Sequence, residues 1–562
     1  MRRVNSYRHP PQGKRLKMIG DILNSKVKTI GAVAIILAFA ALASRFLGLV
    51  REWLLASTFG AGSDLDAYFV AFRIPDFIYN VLITGGIVSI FLPLFSEYFP
   101  KDKAEAWRFT NNIFNIFLFL LSIMCLVLFI LAPFIIKLIA PGFSKEQIEL
   151  ATSLARIMML SPVLFTLYSV FAGVLQYFNK FIIYSLGPII YNLGIIFGII
   201  FLSPYFGISG VSMGVILGAF VFLAVQIPFV IESGFNYKFI LDFKDKKIHK
   251  FFKLMIPRVF ASASLEIETV AFVIIASTLG VGAISIFNFA NDLQFIPIGI
   301  VTISLVVATF TTLSKLWAEG EKEKFIKTFS SVFRQILFLI VPISFLMLAL
   351  REQIVAIILR HGNFTFQDAA LASACLGIFC LGLFAYSATF FIVRTFYTLQ
   401  DTKTPTLITS FVVFLTVSLA IFFAWLFNNS EFARSFLISF FALADLPKIA
   451  LLGLPLAFSI GSVIHLGLSM TFLYRKIGDY NLREIANSAW RVFVSGILML
   501  VAINIGLYLI SPIFDIKTFA GAFWQLIILG SAGAIIYIAS SFLLRSPEIF
   551  VFKEKIFKKF KG

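Results

Sequence analysis

Apolar runs long enough to cross a membrane recur along the whole length of this 562-residue chain. A helix needs about 20 mainly apolar residues to cross roughly 30 Å of hydrocarbon. Only helices and closed barrels satisfy their backbone hydrogen bonds in lipid, and these runs lack the alternation of barrel strands. The sequence therefore predicts an all-α polytopic membrane protein, in keeping with 59% hydrophobic and 14% charged residues.

We count about fourteen transmembrane helices, called spans 1 to 14 in chain order. Their approximate bounds are 30–58, 66–96, 109–136, 152–178, 181–202, 208–231, 254–279, 284–314, 328–350, 369–398, 405–427, 449–474, 488–511 and 518–544. An even number of spans places both termini on one side. Lysine and arginine concentrate in one alternate set of loops and in both tails, which by the positive-inside rule predicts cytoplasmic termini.

The basic residues are spread over segments that flank the membrane. They include a tail at 1–29, a linker at 233–253 and a tail at 545–562, so the net charge of +18 requires no nucleic acid as partner. The three cysteines lie within apolar runs and the four histidines are scattered. We therefore expect no disulfide, no metal site and no cofactor.

A short sequence recurs 220 residues apart. Residues 56–62 (ASTFGAG) end span 1, and residues 276–282 (ASTLGVG) end span 7. An even number of spans separates the copies, so they share one orientation. This predicts two six-helix lobes, 30–232 and 254–475, in a parallel repeat about a pseudo-two-fold axis along the membrane normal, with the transport path between them. Spans 13 and 14, at 488–544, fall outside the repeat.

Span 1 contains three charged residues, Arg45, Arg51 and Glu52. A charge at the bilayer centre costs at least about 2.5 to 3.5 kcal/mol, so these side chains are expected to face a partner or a water-filled cavity. Substrate binding and internal salt bridges with acidic residues of spans 1 and 2 are both open interpretations. The two arginines lie about 120° apart on an ideal helix, and bending or unwinding at Gly48 is one way to bring both inward.

Span 2 carries a polar stripe. At 100° per residue, Asp66, Arg73, Asn80 and Thr84 fall within about 40° of one another, so we expect this face to line the cavity.

The second lobe has its own charged candidates. Arg258 and then Glu266 and Glu268 lie on span 7, Asp292 lies in a polar stripe of span 8, and Arg394 lies on span 10. The two glutamates point about 160° apart and do not form a paired-carboxylate site on a regular helix. For Arg394, a role in the transport path and a membrane-flanking role are both open.

Several segments resemble the MurJ/MviN lipid II flippase family in the family's order. They are residues 44–52 (SRFLGLVRE), 59–62 (FGAG), 66–75 (DAYFVAFRIP), 91–93 (FLP), 188–195 (PIIYNLGI), 290–293 (ANDL), 360–365 (RHGNFT) and 396–405. The resemblance covers about residues 28 to 545. It implies the fold of the multidrug/oligosaccharidyl-lipid/polysaccharide (MOP) exporter superfamily, with two lobes around a central cavity and a groove on spans 13 and 14 for a polyprenyl tail.

The resemblance also implies a function. The expected activity is translocation of lipid II, an undecaprenyl diphosphate-linked saccharide, from the cytoplasmic to the outer face of the bacterial plasma membrane for cell-wall synthesis. The expected mechanism is alternating access, driven by the membrane potential or a cation gradient. The chain is then a transporter rather than an enzyme, and its partners are lipid II and the surrounding membrane lipids.

The family's functional positions are matched in the first lobe. Arg45, Arg51 and Asp66 match positions needed for flipping, and Glu52 stands where an aspartate is usual. Guanidinium groups suit a diphosphate because their planar donors bind its oxygens in charge-assisted pairs.

The second lobe departs from the family pattern. Asp292 stands where the family usually has an arginine, and Phe272 stands at an acid linked to cation coupling. Glu268, one turn earlier, is a candidate to replace that acid, and Arg258 or Arg394 is a candidate to replace the missing cation.

Two further positions of span 2 also depart from the family pattern, because the family's second arginine and a nearby acid fall at Tyr79 and Thr84.

Three functional alternatives follow from these departures. They are an exporter of another polyprenyl-linked glycan, a cation-coupled antiporter, and a pseudo-flippase that does not transport.

Overall fold

The computed structural model describes residues 30–441 and 448–549. The predicted tail at 1–29 and most of the predicted tail at 545–562 lie outside the described residues. Within the described ranges the regular elements are helices and no strand occurs. The all-α prediction is therefore confirmed.

Eleven helices in the described part of the chain are long and apolar enough to cross a membrane. They are Lys103–Ile139, Lys145–Tyr177, Gly187–Phe206, Ile208–Glu232, Ala283–Ala318, Lys322–Ala349, Phe366–Thr398, Lys403–Asn429, Ile449–Ile477, Leu482–Ile510 and Phe519–Leu543. The chain is thus a multi-pass membrane protein. Predicted spans 1, 2 and 7 coincide with helices Ile30–Phe59, Ser63–Ile78 continued by Val88–Tyr98, and Lys246–Ser277. The count of fourteen spans stays a prediction.

Some of these helices contain irregular or short pieces. The π-helical segments are Tyr79–Ile87, Gly198–Leu202 and Ile298–Thr302, the short helices are Phe181–Ser185, Arg351–Ile358 and Glu431–Phe441, and a 3₁₀ turn covers Ile449–Leu452. The π segment at Tyr79 corrects the predicted polar stripe of span 2. Asn80 and Thr84 do not continue the 100° spacing of Asp66 and Arg73, because the helix widens at Tyr79.

Helix boundaries differ from prediction where charges flank an apolar run. Helix Lys246–Ser277 begins eight residues before the predicted start at 254, because its first two turns are basic and hydropathy detects only the apolar part. Arg258 therefore lies in the fourth turn of this helix rather than near its start. Helix Lys103–Ile139 begins early for the same reason.

The 220-residue repeat extends to the order of helices. Helices begin at Ser63 and Ala283, at Lys103 and Lys322, and at Lys145 and Phe366, which are separations of 220, 219 and 221 residues. The π segments of spans 2 and 8 fall at corresponding places. This regular spacing supports the internal repeat that residues 56–62 and 276–282 predicted.

The chain divides into two compact units by its internal contacts. Unit 1 comprises Met1–Arg51, Ala71–Phe134 and Ala151–Ala263. In it, helix Ile208–Glu232 packs on helix Gly187–Phe197 through glycines. A Cβ on Gly194 would overlap the backbone of Gly218, so these two helices approach closely, as small residues permit in membranes.

Unit 2 comprises Glu52–Val70, Ile135–Leu150 and Ser264–Gly562. Its largely buried helix Phe366–Thr398 packs against Gly453–Ile477 and Lys322–Ala349. Ser459 Oγ donates a 2.7 Å hydrogen bond to the carbonyl oxygen of Ile378, which satisfies the hydroxyl inside this apolar contact.

Candidate functional site

The two arginines of span 1 lie in unit 1 and are half-buried. Helix Ile30–Phe59 runs as a continuous α-helix through Gly48. The structure therefore shows no local unwinding at Gly48. Unwinding was one of the two suggested ways to bring Arg45 and Arg51 inward.

A buried asparagine holds Arg51 in place. Arg51 Nη1 donates a 3.3 Å hydrogen bond to Asn192 Oδ1, and Asn192 Nδ2 donates to the carbonyl oxygen and the Oγ of Ser44 at 3.3 and 3.2 Å. Asn192 also donates to the carbonyl oxygen of Pro188, which fixes its amide within its own helix. One side chain of span 5 thereby positions a charged group of span 1.

Asp66 is buried in unit 2, with 1% of its surface exposed. Its carboxylate accepts hydrogen bonds from the Gly282 amide at 2.5 Å, from the Ser285 amide at 2.8 Å and from Ser285 Oγ at 2.6 Å. These donors belong to the first turn of helix Ala283–Pro297, where free amides and the helix dipole favour a negative charge. Asp66 therefore joins the start of span 2 to the start of span 8.

A lysine adds positive charge beside this contact. Lys448 Nζ lies 3.6 Å from Asp368 Oδ1, and it also adjoins Gly282. Its charge interacts favourably with the Asp66 carboxylate. The buried carboxylate thus has a cation nearby in addition to its hydrogen bonds.

Two further contacts in unit 2 are related by the repeat. A Cβ on Gly142 would overlap the carbonyl oxygen of Ser277, and a Cβ on Gly362 would overlap the carbonyl oxygen of Ser57. Gly142 and Gly362 are 220 residues apart, as are Ser57 and Ser277. The loop after span 3 therefore packs on Ser277 of the other repeat copy, and the loop after span 9 packs on the equivalent Ser57.

Hydrogen bonds accompany both contacts. The Asn363 amide donates to the Ser57 carbonyl oxygen at 2.9 Å, and the Gly142 amide donates to Ser277 Oγ at 3.3 Å. Asn363 Nδ2 also donates to the Thr58 carbonyl oxygen at 2.6 Å. Backbone atoms make most of this interface, which leaves little room for side chains.

Two more glycines in the same place have left-handed backbones. Gly60 (φ +65°) lies against the carbonyl of Asn363, and Gly282 (φ +86°) lies against the carbonyl of Ala61. Both require glycine because of the positive φ and because of the close backbone approach. This explains Gly60 and Gly282, and Gly280 likewise has a left-handed backbone (φ +112°).

We call residues 57–62, Asp66, Gly142, 277–285 and 362–363 the loop cluster. Its loops follow spans 1, 3, 7 and 9. If successive spans alternate in direction, loops after odd-numbered spans lie on one side of the membrane. The loop cluster thus brings together loops of both repeat copies within unit 2.

The remaining predicted site residues lie elsewhere. Arg73 is half-buried in unit 1, and Glu268 is half-buried in unit 2, whereas Arg258, Asp292 and Arg394 are exposed. The Arg394 guanidinium lies 5.4 and 5.8 Å from the ring centroids of Phe390 and Tyr397 on its own helix, which is typical of a membrane-flanking arginine.

Glu52 is buried in unit 2, next in sequence to Arg51. Groups of three or more histidine, cysteine or carboxylate side chains able to hold a metal do not occur among the described residues.

Sequence reasoning missed four residues of these contacts, namely Asn192, Ser285, Gly142 and Gly362. Asn192 stood in a recognised segment, but its partners lie more than 140 positions away. Gly142 and Gly362 were detectable in principle, because they obey the same 220-residue offset as the serines they contact.

Comparison with known proteins identifies the family. The sequence profile described as Lipid II flippase MurJ matches residues 55–523. A probable lipid II flippase MurJ of Buchnera aphidicola subsp. Schizaphis graminum is 27% identical over 524 residues, covering 92% of this chain and 97% of that protein. The corresponding protein of Buchnera aphidicola subsp. Acyrthosiphon pisum is 30% identical, covering 70% of this chain and 78% of that protein.

Solved structures agree on the fold. A lipid II flippase MurJ in an inward closed conformation has a TM-score of 0.73 and 25% identity, covering 91% of this chain and 99% of that chain. An inward-facing multidrug resistance transporter of the MATE family in the MOP superfamily has a TM-score of 0.59 and 15% identity, covering 78% and 95%. By its profile match over most of its length, the chain belongs to the lipid II flippase MurJ family of membrane transporters.

Proposed function

We propose that this chain translocates lipid II across the bacterial plasma membrane by alternating access. The observation that carries the proposal is the family match over residues 55–523, together with retention of Arg45, Arg51 and Asp66. The comparisons do not favour a glycan exporter, an antiporter or a pseudo-flippase over this function.

Arg45 and Arg51 bind the diphosphate of the substrate in this proposal. A guanidinium donates parallel hydrogen bonds to phosphate oxygens and neutralises their charge. Asn192 already holds Arg51 through its Oδ1, so less freedom is lost when the headgroup binds. Glu52, Asp66 and Arg73 complete the charged set of the first repeat copy.

The loop cluster closes the path at the outer face while the headgroup enters from the cytoplasm. Both termini are then cytoplasmic, in keeping with the basic loops on the side opposite the cluster. Opening requires separation of Asp66 from the Gly282 and Ser285 amides and of each glycine from its serine carbonyl. No covalent chemistry is needed, because alternating access only exchanges one set of contacts for another.

The second repeat copy supplies the remaining roles. Arg258 and Arg394 are candidate cations for the substrate, Asp292 lies where the family has an arginine, and Glu268 is the candidate for coupling to a cation gradient or to the membrane potential. Helices Leu482–Ile510 and Phe519–Leu543 provide the surface for the polyprenyl tail.

The test is complementation of a bacterium depleted of its own flippase. Arg45→Ala and Arg51→Ala should each abolish growth while membrane insertion is unchanged, because the diphosphate loses a charged ligand. Arg475→Ala is the matched control, since Arg475 is exposed and stacks on Phe472 at the end of its helix. Normal growth of both cavity variants would refute their assignment to the substrate.

A further inference from the structure

The linker between the two repeat copies is held in an extended form by three buried asparagines of helix Lys103–Ile139. Asn111 bridges the Asn236 carbonyl and the Lys238 amide at 3.0 and 2.8 Å. Asn112 bridges the amide and the carbonyl of Asp242, both at 2.8 Å. These side chains make the hydrogen bonds to the linker backbone that a neighbouring strand would otherwise make.

The third asparagine completes the clamp. Asn115 Nδ2 donates to the carbonyl oxygens of Lys238 and Ile240 at 3.0 and 3.1 Å, and Asn115 Oδ1 accepts from Tyr237 Oη at 2.9 Å. All of these residues belong to unit 1. The clamp therefore fixes which side chains of the linker face outward.

The outward row is apolar. Phe239, Leu241 and Phe243 are exposed, with Phe239 reaching 76%, whereas the Tyr237 hydroxyl bonds back to Asn115. Successive side chains of an extended segment point to opposite faces, so Phe239 and Leu241 share one face, and Phe243 follows in the turn that ends the segment. A rigid backbone that presents three exposed apolar side chains requires an apolar environment to receive them.

The adjoining helix shows what that environment is. Residues Phe119, Ile123, Ile130 and Phe134 form an exposed apolar row on helix Lys103–Ile139, about 22 Å long at 1.5 Å per residue. This helix is long and apolar enough to cross the membrane, so the row faces lipid. The Phe243 ring contacts Phe119, the first residue of the row, with 6.5 Å between centroids. The linker face thus continues the lipid-facing surface at its end.

Positive charge borders this face. Lys238, Lys244 and Lys246 are exposed on or beside the linker, whereas the linker carboxylate of Asp242 pairs with Arg108 at 3.6 Å. Lysines beside exposed aromatic side chains match an anionic headgroup layer above acyl chains.

We propose that residues 237–246, here called the linker anchor, insert into the membrane interface and bind anionic phospholipid. Phe239, Leu241 and Phe243 enter the acyl boundary, and the three lysines contact the headgroups. The anchor ties the connection between the repeat copies to the bilayer. This inference rests on the membrane location of the chain and is independent of the transported substrate.

Spin labels test the depth of the linker anchor in the full chain, reconstituted in bilayers that contain phosphatidylglycerol. The three native cysteines are buried and are first replaced by alanine. A label at Phe239→Cys should be more accessible to oxygen than to a water-soluble nickel reagent, as should a label at Phe134→Cys. Labels at Lys238→Cys and at exposed His249→Cys should favour the nickel reagent. Water accessibility at position 239 equal to that at 249 would overturn the proposal.

Lipid retention tests the charge requirement. Native mass spectrometry should find at least twofold less bound phosphatidylglycerol after Lys238→Gln, Lys244→Gln and Lys246→Gln are combined. The matched variant combines Lys322→Gln, Lys324→Gln and Lys327→Gln, which removes three exposed lysines from the first two turns of helix Lys322–Ala349. Equal losses in the two variants, or no loss in either, would overturn the assignment of anionic lipid to the linker anchor.

Discussion

Asn192 is the residue that positions the half-buried Arg51 of span 1. It accepts from Arg51, donates twice to Ser44 and once within its own helix, so its hydrogen-bonding capacity is largely used. A buried amide in this position sets the direction of a guanidinium that would otherwise sample many rotamers. The chemistry proposed for Arg51 therefore depends on a neutral residue in another span.

Replacing Asn192 by leucine should lower lipid II translocation roughly tenfold and leave the protein folded. The reason is that Arg51 keeps its charge and loses its positioning partner. A hydrogen bond to a charged group contributes about 1.5 to 3 kcal/mol, and the low end corresponds to roughly tenfold. A fluorescent lipid II assay in proteoliposomes measures the rate. Asn504→Leu, at an exposed asparagine of helix Leu482–Ile510, should not change it. A rate for Asn192→Leu equal to wild type would contradict the positioning role.

At the scale of elements, the loop cluster shows how two copies of one helix order join. Ser57 and Ser277 end equivalent helices, and each receives the glycine loop of the other copy. Asp66 breaks the symmetry, because the equivalent position is Ile286. The two repeat copies thus share a symmetric backbone contact, to which the Asp66 carboxylate adds one asymmetric set of hydrogen bonds.

Gly142→Ala should shift the loop cluster toward its open form. The backbone of Gly142 is not left-handed, so the new Cβ acts only through its overlap with the Ser277 carbonyl. Overpacking of this kind costs about 1 to 3 kcal/mol, or roughly fivefold to a hundredfold in population. Labelling of Ala283→Cys, at a buried position, by an impermeant maleimide measures opening.

The control for this substitution is Gly467→Ala, because nothing lies within 4 Å of a Cβ at Gly467. It should leave the labelling rate unchanged. If Gly142→Ala were labelled as slowly as the wild-type protein, the glycine contact would not be what holds the loop cluster closed.

Asp401, in the loop before helix Lys403–Asn429, gives an element-scale test of stability. Burial favours a higher pKa, but hydrogen bonds from Lys476 and Thr404 outweigh it and lower the pKa of Asp401 to about 2. A carboxyl with a depressed pKa stabilises the folded state above its ordinary pKa and loses this effect as the pH falls toward 2.

Asp401→Asn should therefore lower the melting temperature at pH 7, by the equivalent of up to about 1 kcal/mol for loss of the carboxylate's ion pair with Lys476. The difference from wild type should shrink as the pH falls from 4 toward 2. Thermal unfolding in detergent across this range measures it, and exposed Glu149→Gln serves as the control. A difference that stays constant down to pH 2 would exclude the ionised carboxylate as its cause.

The helices were predictable from the sequence to a much greater degree than their contacts. Apolar runs located the helices, but the start of helix Lys246–Ser277 was not predicted because its first turns, before Leu254, are basic. The regular polar stripe predicted for span 2 ends where the π segment begins at Tyr79. Asn192, Gly142 and the asparagines of the linker clamp act on residues that are distant in sequence. Neither periodicity nor composition carries that information, whereas the 220-residue offset carries part of it.

At the scale of the whole molecule, the proposed function makes the loop cluster a closed contact between repeat copies on one side of the membrane and makes the other side the entry side. The loop cluster has a buried carboxylate and four glycines in close backbone contact, with Lys448 beside it, and its loops all follow odd-numbered predicted spans. Family membership supplies lipid II as the substrate, and Arg45 and Arg51 are the proposed ligands of its diphosphate. The central claim is that translocation requires the loop cluster to open.

The most direct test cross-links the loop cluster in its closed form in purified protein. Thr58→Cys and Asn363→Cys introduce cysteines at two exposed positions, where Asn363 Nδ2 already reaches the Thr58 carbonyl at 2.6 Å. Cross-linked protein in proteoliposomes should still bind lipid II and should not translocate it, and reduction should restore the wild-type rate. Translocation at the full rate by completely cross-linked protein would contradict alternating access through the loop cluster.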